Sequence, residues 1–190
     1  MIINNNQVFS NLRKRLFMYI RLSKYKMQRD ELDKKDLPKE GDAAPNFRFE
    51  DKKGAEMVLS DLQGKQVVVY FYPRDFTPGC TIEADEFAQD YEKYKERNIE
   101  IIGISPDDEG SHKKFREKMN IAFFLASDIN NEISNSYGVY VLKKFMGKEY
   151  MGISRTTFII DEKGIIRKIF RNVKPRGHSI DVLKYFPHHK

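Results

Sequence analysis

Gln66-Val67-Val68-Val69-Tyr70-Phe71-Tyr72, running on into Pro73-Arg74-Asp75-Phe76-Thr77-Pro78-Gly79-Cys80, is the stretch on which the reading of this fold turns. Its first half is an unbroken β-branched and aromatic run, the pattern of a strand buried on both faces. Its second half is a short loop stiffened by two prolines. Residues 80–96 then place Ala84, Phe87, Ala88, Tyr91 and Tyr94 at helical spacing, which predicts an amphipathic helix opening at the cysteine. A strand covered on both faces needs helices above and below it, and the pattern continues outward in that sense. Residues 99–105 form a second buried strand, residues 108–119 a helix and residues 123–125 a short strand, after which Asp128 caps a helix through Tyr137. Strands at 156–160 and 165–171 flank Asp161-Glu162-Lys163-Gly164, and a last helix covers 179–185. Upstream, residues 47–50 and 57–59 read as short strands around Lys53-Gly54. The expected architecture is an α/β sandwich with a central mixed β-sheet flanked by helices, without internal repeats.

The chain has 190 residues, 40% of them hydrophobic, and a single cysteine. One cysteine cannot make an internal disulfide, a thiolate zinc site or an iron–sulfur cluster, and a reducing compartment is its natural setting. The longest apolar runs, residues 67–72 and 121–126, fall far short of the ~20 residues a membrane-spanning helix needs. The net charge of +6 is unevenly held. Residues 1–29 carry Arg13, Lys14, Arg15, Arg21, Lys24, Lys26 and Arg29 and no acid, leaving 27 of the 34 basic side chains to face all 28 acidic ones. The charge belongs to a basic N-terminal extension, residues 1–37, and the domain expected at 38–190 is close to neutral. Within the extension Phe9, Leu12, Leu16, Tyr19 and Ile20 recur at the spacing of a basic amphipathic helix.

Gly-x-Gly-x-x-Gly, the phosphate loop, His-Glu-x-x-His and Cys-x-x-Cys are all missing, so dinucleotide, nucleotide, zinc-protease and dithiol-reductase chemistry have no anchor. His112, His178, His188 and His189 are scattered and read as surface residues. Cys80 stands apart because a helix start offers unpaired N–H groups and a partial positive charge, which draw a thiol toward thiolate. Gly79 allows close backbone approach, and Thr77 can aim a hydroxyl at the same point. The competing reading is a small buried hydrophobe, the usual fate of a lone intracellular cysteine. Position by itself leaves the two level.

The surrounding residues add a resemblance. Tyr70 through Thr81, with its Pro73-x-x-x-Thr77-x-x-Cys80 spacing, resembles the active-site signature of the peroxiredoxins, closest to their bacterioferritin-comigratory-protein or PrxQ branch. Further matching segments follow in order: Lys39-Glu40-Gly41-Asp42-Ala43-Ala44-Pro45, then Gly103-Ile104-Ser105-Pro106-Asp107 with Ser111-His112-Lys113-Lys114-Phe115, then Tyr137-Gly138-Val139, and residues 152–161 around Arg155. The resemblance spans about residues 38–187. It implies a thioredoxin-like fold and a thiol peroxidase that reduces hydrogen peroxide and organic hydroperoxides at a peroxidatic cysteine matching Cys80. Thr77 matches the threonine that orients the peroxide, Pro73 the proline that shields the thiolate, and Arg155 the arginine that pairs with it. Arg155 and the N–H groups of Gly79 and Cys80 are the expected peroxide-binding donors. The bland alternatives are a surface salt bridge for Arg155 and a turn-capping hydroxyl for Thr77. Neither cofactor nor metal is called for.

One departure from the branch matters. Many members carry a resolving cysteine five residues after the peroxidatic one, and here that position is Asp85. The sulfenic acid formed at Cys80 therefore needs an external thiol, from thioredoxin or from glutaredoxin with glutathione, in a monomer or weak homodimer. A redox sensor or holdase-like binding protein on the same fold is the rival function. Nucleic-acid binding through residues 9–29 rests only on basic and aromatic side chains and is not expected. A cytoplasmic enzyme is the expectation, with translation from Met27 or from Met1. The alternative is an organelle, mitochondrion or plastid, should residues 1–29 be a transit peptide.

Overall fold

The computed structural model describes residues 37–51 and 54–186, so the expectations for residues 1–36, for Lys53 and for His188 and His189 lie outside the described residues. Pro38 opens the compact unit. In chain order it contains β1 (Arg48–Glu50), β2 (Glu56–Val58), a 3₁₀ turn (Leu59–Leu62), β3 (Gln66–Phe71), α1 (Pro78–Lys95), β4 (Ile99–Ser105), α2 (Glu109–Met119), β5 (Phe124–Ser127) and α3 (Glu132–Ser136). There follow β6 (Tyr140–Phe145), β7 (Lys148–Ile153), β8 (Thr156–Ile160), β9 (Ile166–Arg171) and α4 (His178–Tyr185).

Five strands make the central sheet in the order β5-β4-β3-β8-β9. β3 runs parallel to β4 and β4 to β5, whereas β8 is antiparallel to both β3 and β9, so the sheet is mixed as expected. The alternation of side chains along β3 explains its apolar run. Val68, Tyr70 and the following Tyr72 enter a core with α1, α2 and α4, where Cys80, Phe87, Tyr94, Phe115 and Val182 are also packed. Val67, Val69 and Phe71 enter the opposite core with Phe47, Phe49, Tyr137 and Phe158. Opposite Tyr70 in the ladder stands Gly103, where a Cβ would lie 2.7 Å from the Tyr70 ring, so glycine there makes room for the tyrosine.

Three departures from the sequence reading have clear causes. α1 begins at Pro78, not at Cys80: proline fits the first helical position because its missing N–H is unpaired there anyway, and Thr77 is the N-cap. The helix expected from Asp128 shrinks to residues 132–136, although the Asp128 carboxylate does act as a cap, accepting from the N–H groups of Ile133 and Ser134. The antiparallel hairpin β6–β7, unforeseen from sequence, grows outward from the segment that carries Arg155. Two histidines also need correction. His112 and His178 are buried, because each has a polar partner inside: Asp75 Oδ2 at 3.0 Å from His112 Nδ1, and Thr157 Oγ1 at 2.8 Å from His178 Nε2.

Candidate active site

Cys80 is the third residue of α1 and is buried, with 1% of its surface exposed. It reaches this depth because the helix packs its Ala84, Phe87 and Tyr94 face onto the sheet, which carries the first turn down with it. Arg155 lies between β7 and β8, and its Nη2 donates to Cys80 Sγ at 3.2 Å. Its Nη1 donates to Glu83 Oε2. The guanidinium is thus shared by two side chains one helical turn apart, three residues along α1. It is not the surface salt bridge of the bland reading. Burial works against its charge, but Glu83 and Cys80 outweigh that and raise its affinity for the proton.

Sequence reasoning missed Glu83. Its side chain is fully buried, and burial, opposed by Arg155, pushes its carboxyl up to about 7. Oε2 is held by Arg155, and Oε1 has no hydrogen-bond partner. A Cys-x-x-Glu spacing at the start of a helix is the signal that could have revealed it. Lys143 was missed as well. Half-buried on β6, it donates from Nζ to the Ile153 carbonyl at 2.6 Å, and burial together with Arg155 lowers its proton affinity while Cys80 opposes this. Nothing in its sequence surroundings marks it.

The remaining predicted residues frame this centre. A Cβ on Gly79 would stand 3.4 Å from Arg155 Nη2 and 3.3 Å from Pro175 Cγ, so glycine keeps the approach to the guanidinium open. Pro73 and Thr77 lie on the loop from β3 to α1, both half-buried. Thr77 Oγ1 donates to the Arg74 carbonyl at 3.1 Å, a local turn bond that leaves the lone pairs of its oxygen available to accept. Asp85 lies on the same helix and accepts from Gln89 Nε2 at 2.7 Å. The whole loop hangs from Asp75, whose carboxylate accepts from Tyr72, Ser111 and His112.

A guanidinium donating to a buried sulfur at a helix start is an arrangement that can favour an anionic nucleophile, and comparison with known proteins places the chain in a family. The sequence profile of the AhpC/TSA family matches residues 40–169. The chain belongs to the AhpC/TSA family. Among its relatives, the protein named peroxiredoxin Bcp of Bacillus subtilis strain 168 is 44% identical over 144 residues, covering 76% of this chain and 92% of the relative. Peroxiredoxin Bcp of Escherichia coli K12 is 38% identical over 151 residues, 80% of this chain and 97% of that one. A solved structure of PrxQ from Xylella fastidiosa superimposes with a TM-score of 0.74 at 30% identity, covering 79% of this chain and 96% of that chain. For peroxiredoxin Q of Xanthomonas campestris the TM-score is 0.70 at 33% identity, covering 73% and 88%. This AhpC/TSA member is a peroxiredoxin of the Bcp/PrxQ branch, a thiol-dependent peroxidase with a thioredoxin-like fold that works through a peroxidatic cysteine.

Proposed function

We propose that Cys80 is the peroxidatic residue and that Arg155, Thr77, Pro73 and Gly79 complete its site. The observation that carries the reading is the 3.2 Å hydrogen bond from Arg155 to the buried Sγ of Cys80, the single cysteine of the chain. The guanidinium stabilises the thiolate and stands where charge develops on the peroxide. The thiolate attacks one peroxide oxygen, so that an S–O bond forms while the O–O bond breaks. The other oxygen leaves with the bonding pair, takes up a proton and departs as water or alcohol. Sulfur is oxidised by two electrons to the sulfenic acid and the peroxide is reduced by two. The Thr77 oxygen, its own hydrogen engaged with Arg74, accepts the O–H of the peroxide, and Pro73 limits the access of water.

Return to the thiolate is external, because Asp85 stands where the branch often has its second cysteine. An incoming thiol condenses with the sulfenic acid, releasing water and leaving a mixed disulfide, and a second thiol then frees Cys80. A thioredoxin-type dithiol protein, or glutaredoxin with glutathione, supplies these electrons to a monomer or weak homodimer whose catalytic domain is residues 38–190. Their supply is a feature of reducing compartments such as the cytoplasm. Family membership favours this reading over the sensor alternative. The test is a coupled peroxidase assay beside dimedone labelling. Wild-type protein gives a Cys80 adduct and sustained turnover with a thiol system, and Cys80→Ser gives neither; turnover by Cys80→Ser would overturn the assignment.

A further inference from the structure

The loop that delivers Pro73 and Thr77 to the site contains a backbone anomaly. Phe76, between Asp75 and Thr77, has φ +59°, the left-handed region that costs a side-chain-bearing residue ~1–2 kcal/mol. The residue is 44% exposed, with its ring edge-on to Phe115 at 5.1 Å and Lys118 Nζ over the ring at 5.6 Å. Such a conformation persists only where neighbouring structure imposes it. What imposes it is adjacent in the chain. Asp75 Oδ1 accepts from the Tyr72 hydroxyl at 2.8 Å, and Oδ2 accepts from Ser111 Oγ at 2.7 Å and His112 Nδ1 at 3.0 Å. The Asp75 N–H donates to Asp107 Oδ2, itself fixed by the Ser105 hydroxyl. Four segments of the fold converge on one buried residue of the peroxide loop: the end of β3, the end of β4, the loop after it and the first turn of α2.

We propose that the buried Asp75–His112 pair is a clamp that holds the peroxide loop in its strained, reactive form, and that Asp75 and His112 are positioning residues for Thr77 and Pro73. The clamp rests on the reading of Cys80 and Thr77 given above. Neither residue touches the sulfur; each acts through the loop. A 1 Å displacement of a positioned group can cost ~100-fold in rate, so partial release of this loop is felt at the site.

The pair is also an ionic one. Burial disfavours charge on both partners, but their mutual hydrogen bond and attraction prevail, so the Asp75 carboxyl lies below its ordinary value and the His112 imidazole above its own. The ionisable groups around the pair are Asp107 from the loop after β4, Tyr70 from β3, Tyr72 just beyond it, and Glu109 from α2 itself. β5 contributes the Ala126 backbone, which also favours the imidazolium. The imidazolium is present below pH ~6.5 and is lost as pH rises through the raised value in the folded protein, so the clamp weakens on the alkaline side.

The experiment is stopped-flow oxidation of Cys80 by hydrogen peroxide from pH 5.5 to 9 in wild type, Asp75→Asn, His112→Gln and the double variant. Each single variant is expected to react about tenfold more slowly at pH 6, within the ~100-fold that misplacement allows, and the double variant no more slowly than the worse single one. His112→Gln has no imidazolium to lose, so the wild-type to His112→Gln ratio falls as pH rises. A ratio that stays flat with pH, or single effects that multiply, overturns the clamp while leaving Cys80 as the reacting residue. Failure of the wild type to form a sulfenic acid overturns the active-site reading and the clamp with it. Amide exchange in the wild type settles the matter even if the variants do not fold. Corrected for intrinsic rates, protection of residues 74–79 should fall from pH 6 to 9 relative to β4; unchanged protection overturns the proposal.

Discussion

Arg155 has two partners to satisfy and one guanidinium to do it with. Bonded through Nη1 to Glu83 and through Nη2 to Cys80, it fixes the sulfur's position and sets a positive charge beside it. Removing the charge while keeping the bulk is the informative change. Arg155→Met should slow Cys80 oxidation by at least ~100-fold, the scale seen when a single preorganised donor to a developing oxyanion is lost. Arg155→Lys should lose less, since it restores a positive charge without the planar fork that reaches both partners. Rates of sulfenic acid formation, read by stopped flow with dimedone trapping, check both; a wild-type rate in Arg155→Met would remove the arginine from the site. Glu83 records the other half of the arrangement. Deprived of its cation, a fully buried carboxylate with one unbonded oxygen would take up a proton and remain neutral.

At the scale of elements, legibility followed burial. β3, α1 and β4 are deeply buried, and their side chains had to be apolar on both faces of a strand or along one stripe of a helix. Their boundaries were accordingly readable to within two residues. The β6–β7 hairpin gave no such pattern, since all its residues but Ile153 are half-buried or exposed and its turn is Met146-Gly147, with Met146 at φ +48° where Asn or Asp is the usual signal. His112 was misread because a histidine on a helix shows its inward orientation only through spacing to a buried neighbour, here Phe115, and its partner Asp75 lies 37 residues away. α2 joins stability to the site. Its N-cap Asp108 accepts from the Ser111 N–H at 2.8 Å, and the same first turn carries Ser111 and His112 to Asp75. Asp108→Ala should cost about 1 kcal/mol of stability, read as a lower urea midpoint at unchanged slope. It should also raise amide exchange in residues 74–79. A loss of stability with no change in that loop would separate the helix from the site.

For the whole molecule, the buried ionisable groups oppose one another. Glu83, its carboxyl raised from 4.5 to about 7, binds its proton more tightly when folded, so its contribution to stability declines as pH climbs from 4.5 toward 7. His178 has the reverse sign. Burial, aided by Arg155 and opposed by Asp181, lowers its imidazole from 6.5 to about 4, so its contribution is present above 6.5 and lost as pH falls toward 4. The two slopes cover nearly the same interval with opposite signs. Outside it, the raised His112 removes stability above pH ~6.5 and the lowered Asp75 removes it below ~3.8. The urea midpoint of the wild type should therefore be nearly level between pH 4.5 and 6.5 and decline toward pH 8. Glu83→Gln cannot titrate, which exposes the His178 slope: its midpoint should rise across that interval and fall less steeply than the wild type's from 6.5 to 7. A midpoint for Glu83→Gln as level as that of the wild type would mean that Glu83 is ionised throughout, with Arg155 paired to a full carboxylate even as it holds the Cys80 sulfur.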